Sequence, residues 1–305
     1  MLTIFSPPKP FEGHIDVIQR NAIQSWLQLG NDIEVLLIGD EKGMERVASD
    51  FGVRQIPDVQ RNELGTPLVS SIFQVARDHA KYSTLCYINA DMILMDDFLD
   101  AIRSVESNFP KFLVIGQRWD LAITDRITFG KDWRDEMRKD VEARGRIHPP
   151  AGSDYFVYKR GTFEHMPPFA LGRAGWDNWM IFAGRAGKIP VVDATQSVTA
   201  IHQDHDYAHL PDGQPHYRLP ESEENVRLSG GQETIFSLTD ADWTYSSGIF
   251  RRKPSGERWS RRGMEARIIS TFGAGGMARF CRMIFHPVET IRYYWRAVKR
   301  RVAVL

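Results

Sequence analysis

At 305 residues, with 42% hydrophobic and 26% charged side chains, the chain can fill one large domain or two small ones and has the balance of an ordinary globular protein. The formal net charge of zero hides an asymmetry: residues 251–305 carry 14 Lys/Arg against 3 Asp/Glu, a net of +11, and the first 250 residues a net of −11. The only cysteines, Cys86 and Cys281, lie far apart without metal-ligand spacing, and no window reaches the ~18 consecutive apolar residues of a spanning helix, so a cysteine metal site and a membrane span are both excluded.

Leu2–Ser6 is an apolar run stopped by Pro7-Pro8, a first strand that ends at a loop and not the start of a signal peptide. Ile15, Ile18, Ala22, Trp26 and Leu29 then recur at helical spacing until Gly30. Residues 34–38 and 53–56 read as two more strands, stopped at Gly39-Asp40-Glu41 and at Pro57. Thr66-Pro67 predicts a helix start, with Thr66 as cap, Pro67 in the first turn, and Leu68, Val69, Ile72, Phe73 and Ala76 as the buried face. Thr84–Ile88 is a fourth strand, followed by Asn89-Ala90-Asp91 and a helix over 96–105, and 112–115 is a fifth. Cys86, inside that fourth run, reads as a reduced core thiol and predicts a cytoplasmic setting.

Strand and helix thus alternate through the first 115 residues, which predicts a parallel sheet covered on both faces. Ligands in such sheets bind beyond the carboxyl ends of strands, here residues 6–11, 39–43 and 89–91. Further on, the charged stretch 120–146 reads as an insertion or helical excursion. Residues 154–158, 189–193 and 198–201 read as strands, and the polar stretch 203–227 as loop.

Four constellations carry chemistry. Asp91, at a strand end, can hold Mg²⁺ or Mn²⁺ against phosphate oxygens, and Asn89 can hydrogen-bond a ribose or a metal-bound water; Asn and Asp are also common in plain strand-end turns. In Ala200-Ile201-His202-Gln203-Asp204-His205, at the end of an apolar run, His202 can complete a site begun by Asp91, although His209 and His216 follow without strict spacing, as in a surface loop. In Gly172-Arg173-Ala174-Gly175-Trp176-Asp177-Asn178-Trp179, glycines allow close approach, aromatic rings offer a flat face to a sugar, and Asp177 can take a hydroxyl proton; the same residues also suit a helix start with both tryptophans in the core. Asp154, entering a strand after Gly152-Ser153, is a further contact for substrate hydroxyls.

The strand, the Pro-rich loop, Gly39-Asp40 and Asn89-Ala90-Asp91 resemble the GT-A glycosyltransferases. Pro8-Lys9-Pro10-Phe11-Glu12-Gly13-His14-Ile15, Asp154-Tyr155-Phe156-Val157 and the stretch from Pro167 through Trp179 are similar to a group of nucleotide-diphospho-sugar transferase-like proteins, over roughly residues 1–245. The resemblance implies an α/β fold, a Rossmann-like GT-A domain with a mostly parallel central sheet flanked by helices. It would span 1–245, with a nucleotide-binding half (1–115) and an acceptor-side half (116–245), followed by a basic helical tail (246–305). It implies that Ser6, Pro7 and Pro8 cradle the nucleotide base, that Asp40 contacts base or ribose, and that Asp91 and His202 hold Mn²⁺ or Mg²⁺. Asp177 becomes the base of an inverting transfer, with Arg173, Trp176, Asn178 and Asp154 around the substrate. The donor is a nucleotide-diphosphate sugar and the acceptor a glycan or lipid-linked hydroxyl. Asn89 departs from the Asp-X-Asp pattern, which leaves a binding module without catalysis as an alternative; a sugar-phosphate nucleotidyltransferase is another, although Ser6-Pro7-Pro8-Lys9-Pro10 is not the Gly-rich loop that chemistry needs.

In the basic tail, Val288, Ile291, Tyr294, Trp295 and Val298 share one helical face and Arg292, Arg296, Lys299 and Arg300 the other. Such a helix either lies on an anionic membrane surface, which would make the protein peripheral to the inner face of the membrane, or docks on the acidic body. No basic recognition fold for nucleic acid is present.

Overall fold

β1 (Leu2–Ser6) and β4 (Thr84–Ile88) are buried at every position, as strands covered on both sides must be. In the computed structural model, which describes residues 1–205, 219–253, 260–273, 275–288, 290–292 and 295, these two pair in parallel at the centre of a nine-stranded sheet. To one side follow β2 (Ile33–Ile38) and β3 (Arg54–Ile56), both parallel. To the other, β9 (Tyr155–Lys159) runs antiparallel between β4 and β6 (Leu113–Ile115). Then come β10 (Val191–Asp193) and β12 (Trp243–Ser246), parallel to β6, and the antiparallel edge strand β13 (Ile249–Arg252). The mostly parallel α/β sheet predicted from the alternation is present.

Successive residues of a strand face opposite sides, so each strand feeds two cores. Ile4, Leu37, Cys86 and Ile88 point to one side, where α1 (Gly13–Leu27), α2 (Met44–Phe51) and α4 (Asp97–Asn108) bury Trp26, Val47, Phe98 and Ile102. Phe5, Leu36, Leu85 and Tyr87 point to the other, against α3 (Val69–His79) and α6 (Trp176–Ala186).

A second, four-stranded sheet carries β5 (Met92–Leu94), β11 (Ala200–Gln203), β7 (Trp119–Leu121) and β8 (Arg146–Ile147), in that order. Ile93, Leu121 and Ile201 pack against Trp133, Met137 and Val141 of α5 (Trp133–Arg144), so the charged stretch 120–146 is both strand and helix.

Three local expectations are corrected. The helix after β3 begins at Val69, not at Thr66-Pro67: Arg61 bridges Pro67 and Leu68 bridges Ala170, and this pairing holds the backbone extended where a helix would otherwise start. α2, β5, β7 and β8 form where no element was expected. Within the expected loop 203–227, α7 (Pro220–Ser229) forms with a proline in its first turn.

The hairpin of β12 and β13 straddles the division placed at 245–246, because Phe109 packs against both Trp243 and Phe250. Beyond it, α8 (Arg261–Phe272) and α9 (Gly276–Phe285) add Ala266, Ile269 and Ala278 to the second core. Arg262 joins the buried Asp240 at 2.7 Å and Glu265 at 3.0 Å. Part of the basic tail is therefore docked on the body. Val288, Ile291 and Trp295 are exposed, whereas Tyr294, Arg296, Val298, Lys299 and Arg300 of the expected tail helix, and His209 and His216, lie outside the described residues. No described helix is long and apolar enough to cross a membrane.

Removing Arg262 leaves the enclosed Asp240 without its cation and Glu265 with His286 at 3.0 Å, which is more destabilising than losing a surface pair. Arg262→Ala should lower stability by about 2 kcal/mol in urea denaturation; an unchanged midpoint would show that the tail docks by apolar contact alone.

Candidate active site

The site begins where the chain leaves β4. Asn89-Ala90-Asp91 turns out of the large sheet, and β5 pairs antiparallel with β11 so that Met92 stands opposite His202. β7 lies parallel on the far side of β11, which sets His202 beside Asp120. Asp91 is thus held at the seam of two sheets.

His205 Nε2 lies 3.2 Å and His202 Nε2 3.7 Å from Asp91 Oδ2, while Asp91 Oδ1 is buried with no hydrogen-bond partner among the described residues. Burial alone would raise this carboxyl's pKa. The hydrogen bond from His205, then the positive charge offered by His202, Lys9 and His205, more than reverse that and hold it well below the usual carboxylate range. Lys9 arrives on the Pro-rich loop after β1, its backbone fixed by Gln19, whose side chain accepts from Lys9 N at 2.6 Å and donates to Lys9 O at 2.9 Å. Burial lowers the Lys9 ammonium's pKa and the charge of Asp91 opposes that.

Asp91, His202 and His205 bring three ligand atoms within 4.8 Å of one another, and the same holds for Asp120, His202 and Asp204. The two groups share His202, and the surrounding charges decide between them. Asp120 already takes Arg118 Nε at 2.9 Å and His148 Nδ1 at 2.8 Å, and Asp204 faces Arg146 at 3.5 Å. On the Asp91 side an oxygen is bare. One carboxylate and two imidazoles there fit a divalent cation, and the imidazole share suits Mn²⁺ better than Mg²⁺, which prefers oxygen.

Asn89 does not point at a ligand. Its Oδ1 accepts from the Tyr87 hydroxyl at 2.9 Å and its Nδ2 donates to Asp154 Oδ1 at 2.8 Å. Arg118 donates to the same Asp154 oxygen at 2.7 Å. An aspartate at position 89 would set two carboxylates face to face, so the departure from Asp-X-Asp follows from the neighbour at 154. Asn89 and Asp154, expected at ribose, metal or substrate, are joined here in one network with Tyr87 and Arg118.

Asp177 lies in the first turn of α6, entered through Gly175 at φ +104°. Its carboxylate lies over Gly152, where any Cβ would collide with Oδ2. Burial pushes its pKa up from 3.8 to about 6, against backbone N–H groups of Asn178, Asp177 and Gly175 and with help from the charge of Asp154. The buried Tyr87 phenol, raised first by burial, is raised further by Asp91, Asp154 and Asp177, so these three carboxylates gather round one hydroxyl at the end of β4.

The other expected contact residues differ in how far their surroundings enclose or pair them. Trp176 is 6% exposed and walled by Phe73, Tyr87 and Phe156, with no face left for a sugar. Asn178 ties the loop before β9 by donating to Ala151 O and Phe236 O. Arg173 is paired with Glu221 at 2.7 Å. Ser6 is buried and donates to Ile88 O at 2.6 Å, latching β1 to β4; Pro8 is buried and Pro7 half-buried. Asp40 is exposed after β2 and accepts from Arg61 at 2.6 Å. Lys9 and His205 were missed as site residues, although Lys9 is the one cation of the loop Ser6-Pro7-Pro8-Lys9-Pro10. A cavity of about 230 Å³ beside α3, lined by Gln60, Gln74, Arg77 and Phe163 among others, takes in none of these groups.

No family model matches the chain, and no curated protein matches it. Among solved structures it is similar to S. aureus TarS, residues 1–349, in complex with UDP-GlcNAc, at 10% identity over 93% of this chain and 80% of that one, with a TM-score of 0.49. It is also similar to glucosyl-3-phosphoglycerate synthase from Mycobacterium tuberculosis, at 14% identity over 76% of this chain and 81% of that one, with a TM-score of 0.47. A complex of that synthase with Mn²⁺, UDP and phosphoglyceric acid gives 16% identity, 67% and 71% coverage, and a TM-score of 0.42. The chemistry of the present chain is read from its own residues.

Because folding raises the Asp177 pKa, this group favours the folded state below its unfolded value of about 3.9, and that contribution is lost as pH rises towards 6. Asp177→Asn should therefore add up to about 3 kcal/mol of stability near pH 8 and almost none near pH 4, read by urea denaturation at the two pH values. Equal effects at both would show that the carboxyl keeps its ordinary pKa.

Proposed function

We propose that this protein is a divalent-metal-dependent glycosyltransferase of the GT-A type, moving a sugar from a nucleotide-diphosphate donor to a hydroxyl acceptor that is glycan or lipid-linked. The observation that carries the reading is the enclosed carboxylate of Asp91 at the carboxyl end of the large sheet: one oxygen faces His202 and His205, the other has no hydrogen-bond partner among the described residues, and the charge of Lys9 acts on the group. That is where an α/β sheet of this kind receives a phosphorylated ligand.

Asp91, His202 and His205 would hold the cation. A divalent ion bound there supplies positive charge to the diphosphate as the sugar–phosphate bond breaks. Lys9 adds a fixed positive charge from the opposite loop, and Gln19 keeps that loop in place. Pro7, Pro8 and the exposed Asp40 border the donor's nucleoside side of the same strand ends. Asp177 accepts the acceptor's hydroxyl proton. Its pKa of about 6 leaves it ionised near neutrality yet basic enough for the transfer. A base acting on the acceptor is the arrangement of inversion. Tyr87, Asn89, Asp154 and Arg118 touch one another and serve to hold the turn that presents Asp91.

Donor hydrolysis tests the reading directly: a panel of sugar nucleotides with and without Mn²⁺ should include one from which nucleoside diphosphate is released only with the metal. Asp91→Ala should abolish Mn²⁺ binding by calorimetry, and unaltered affinity would overturn the assignment. Asp177→Asn should keep Mn²⁺ affinity and lower kcat by at least about 100-fold, and wild-type kcat should fall as pH drops through about 6. Gly152→Ala should likewise lower kcat with Mn²⁺ affinity intact, because the added methyl displaces the Asp177 carboxylate. Donor binding without turnover across the whole panel would identify a carbohydrate-binding module instead.

A further inference from the structure

α9 is built with its large side chains outward. Ala278 and Cys281, at 0% and 5% exposure, face the body, where the core also holds Ala266 and Ile269 of α8. Met277, Phe280, Met283 and Ile284 lie on the opposite side at 49%, 53%, 53% and 56% exposure. An ordinary surface helix puts its bulky apolar residues inside and its charges outside. Phe272 before this helix and Val288 and Ile291 after it, at 62%, 60% and 62%, extend the patch. Of the twelve large hydrophobic residues found exposed among the described residues, eight fall between 272 and 295. A concentration of this kind marks a contact surface.

The charges choose the partner. From residue 272 to the end the sequence holds seven Lys/Arg against one acidic residue, Glu289. Half-buried Arg282 and exposed Arg292 are cations of this segment among the described residues. We infer that the outer face of α9 seats on an anionic lipid surface, its apolar side chains among the acyl chains and the neighbouring cations at the headgroups. A helix of 10 residues is too short to span, so it lies in the plane of the surface. The body, with its net of −11 over the first 250 residues, is repelled by the same surface, and this fixes which side faces down. A second copy of the chain is the weaker occupant, because a two-fold contact would set each basic patch against itself.

The inference stands apart from the metal site, and either can fail alone. Flotation with vesicles containing phosphatidylglycerol should carry the full-length protein up, pure phosphatidylcholine vesicles should bind it at least about tenfold more weakly, and high salt should release it. Phe280→Ser combined with Ile284→Ser should weaken the anionic-vesicle partition by at least about tenfold, with circular dichroism and Mn²⁺ affinity unchanged. Absence of flotation by the folded protein, or equal flotation by the double variant, overturns the proposal. So does a lipid-free dimer in sedimentation velocity that the same two substitutions dissolve, since the face would then belong to a second copy.

Discussion

The turn Asn89-Ala90-Asp91 is the constraint on which the site depends. It ends the central strand of one sheet and begins an edge strand of another, so its backbone is fixed by two independent hydrogen-bond ladders. Tyr87 and Asp154 clamp the Asn89 amide from both sides, and Gln203 N–H donates to Asp91 O at 3.2 Å. A carboxylate held this firmly cannot swing away from its enclosed position, and an enclosed anion must be compensated. Two histidines at the end of β11 and a lysine on the loop after β1 provide that compensation, and they are the groups a cation and a diphosphate would engage.

Arg118 gives the site its polarity. By joining Asp154 and Asp120 it neutralises two carboxylates that would otherwise crowd Asp91 and His202. The carboxylate oxygen left without a hydrogen bond on that wall, among the described residues, is Asp91 Oδ1. Asp177, one helix away, is tuned in the opposite direction: enclosed with little positive charge nearby, its carboxyl is raised where that of Asp91 is lowered. Two aspartates at the end of one sheet thus acquire different chemistry from their surroundings, a separation suited to one ligand and one base.

The C-terminal segment behaves as two things at once. Arg262 and the small residues of α8 and α9 attach it to the body, while the outer side of α9 remains apolar and the sequence beyond it strongly basic. Attachment to the body and the proposed contact with a surface would not be alternatives for this segment, because they would use different sides of the same helix.

Sequence alone determined the elements whose signals are local. β1 and β4 are mostly apolar and buried at every step, α1 repeats at helical spacing, and Asp91 and His202 were each legible as polar residues closing an apolar run. Periodicity and strand-end chemistry depend only on neighbours along the chain. What only the tertiary structure decided depends on residues far apart. It closed the face of Trp176 by packing three rings around it, joined Arg173 to Glu221, occupied the Asn89 amide with Asp154, and brought Lys9 and His205 beside Asp91. It also showed that β5, too short to announce itself, pairs with β11 to form the seam that creates the site. Charge compensation and burial act through space, and no reading along one chain can sum them.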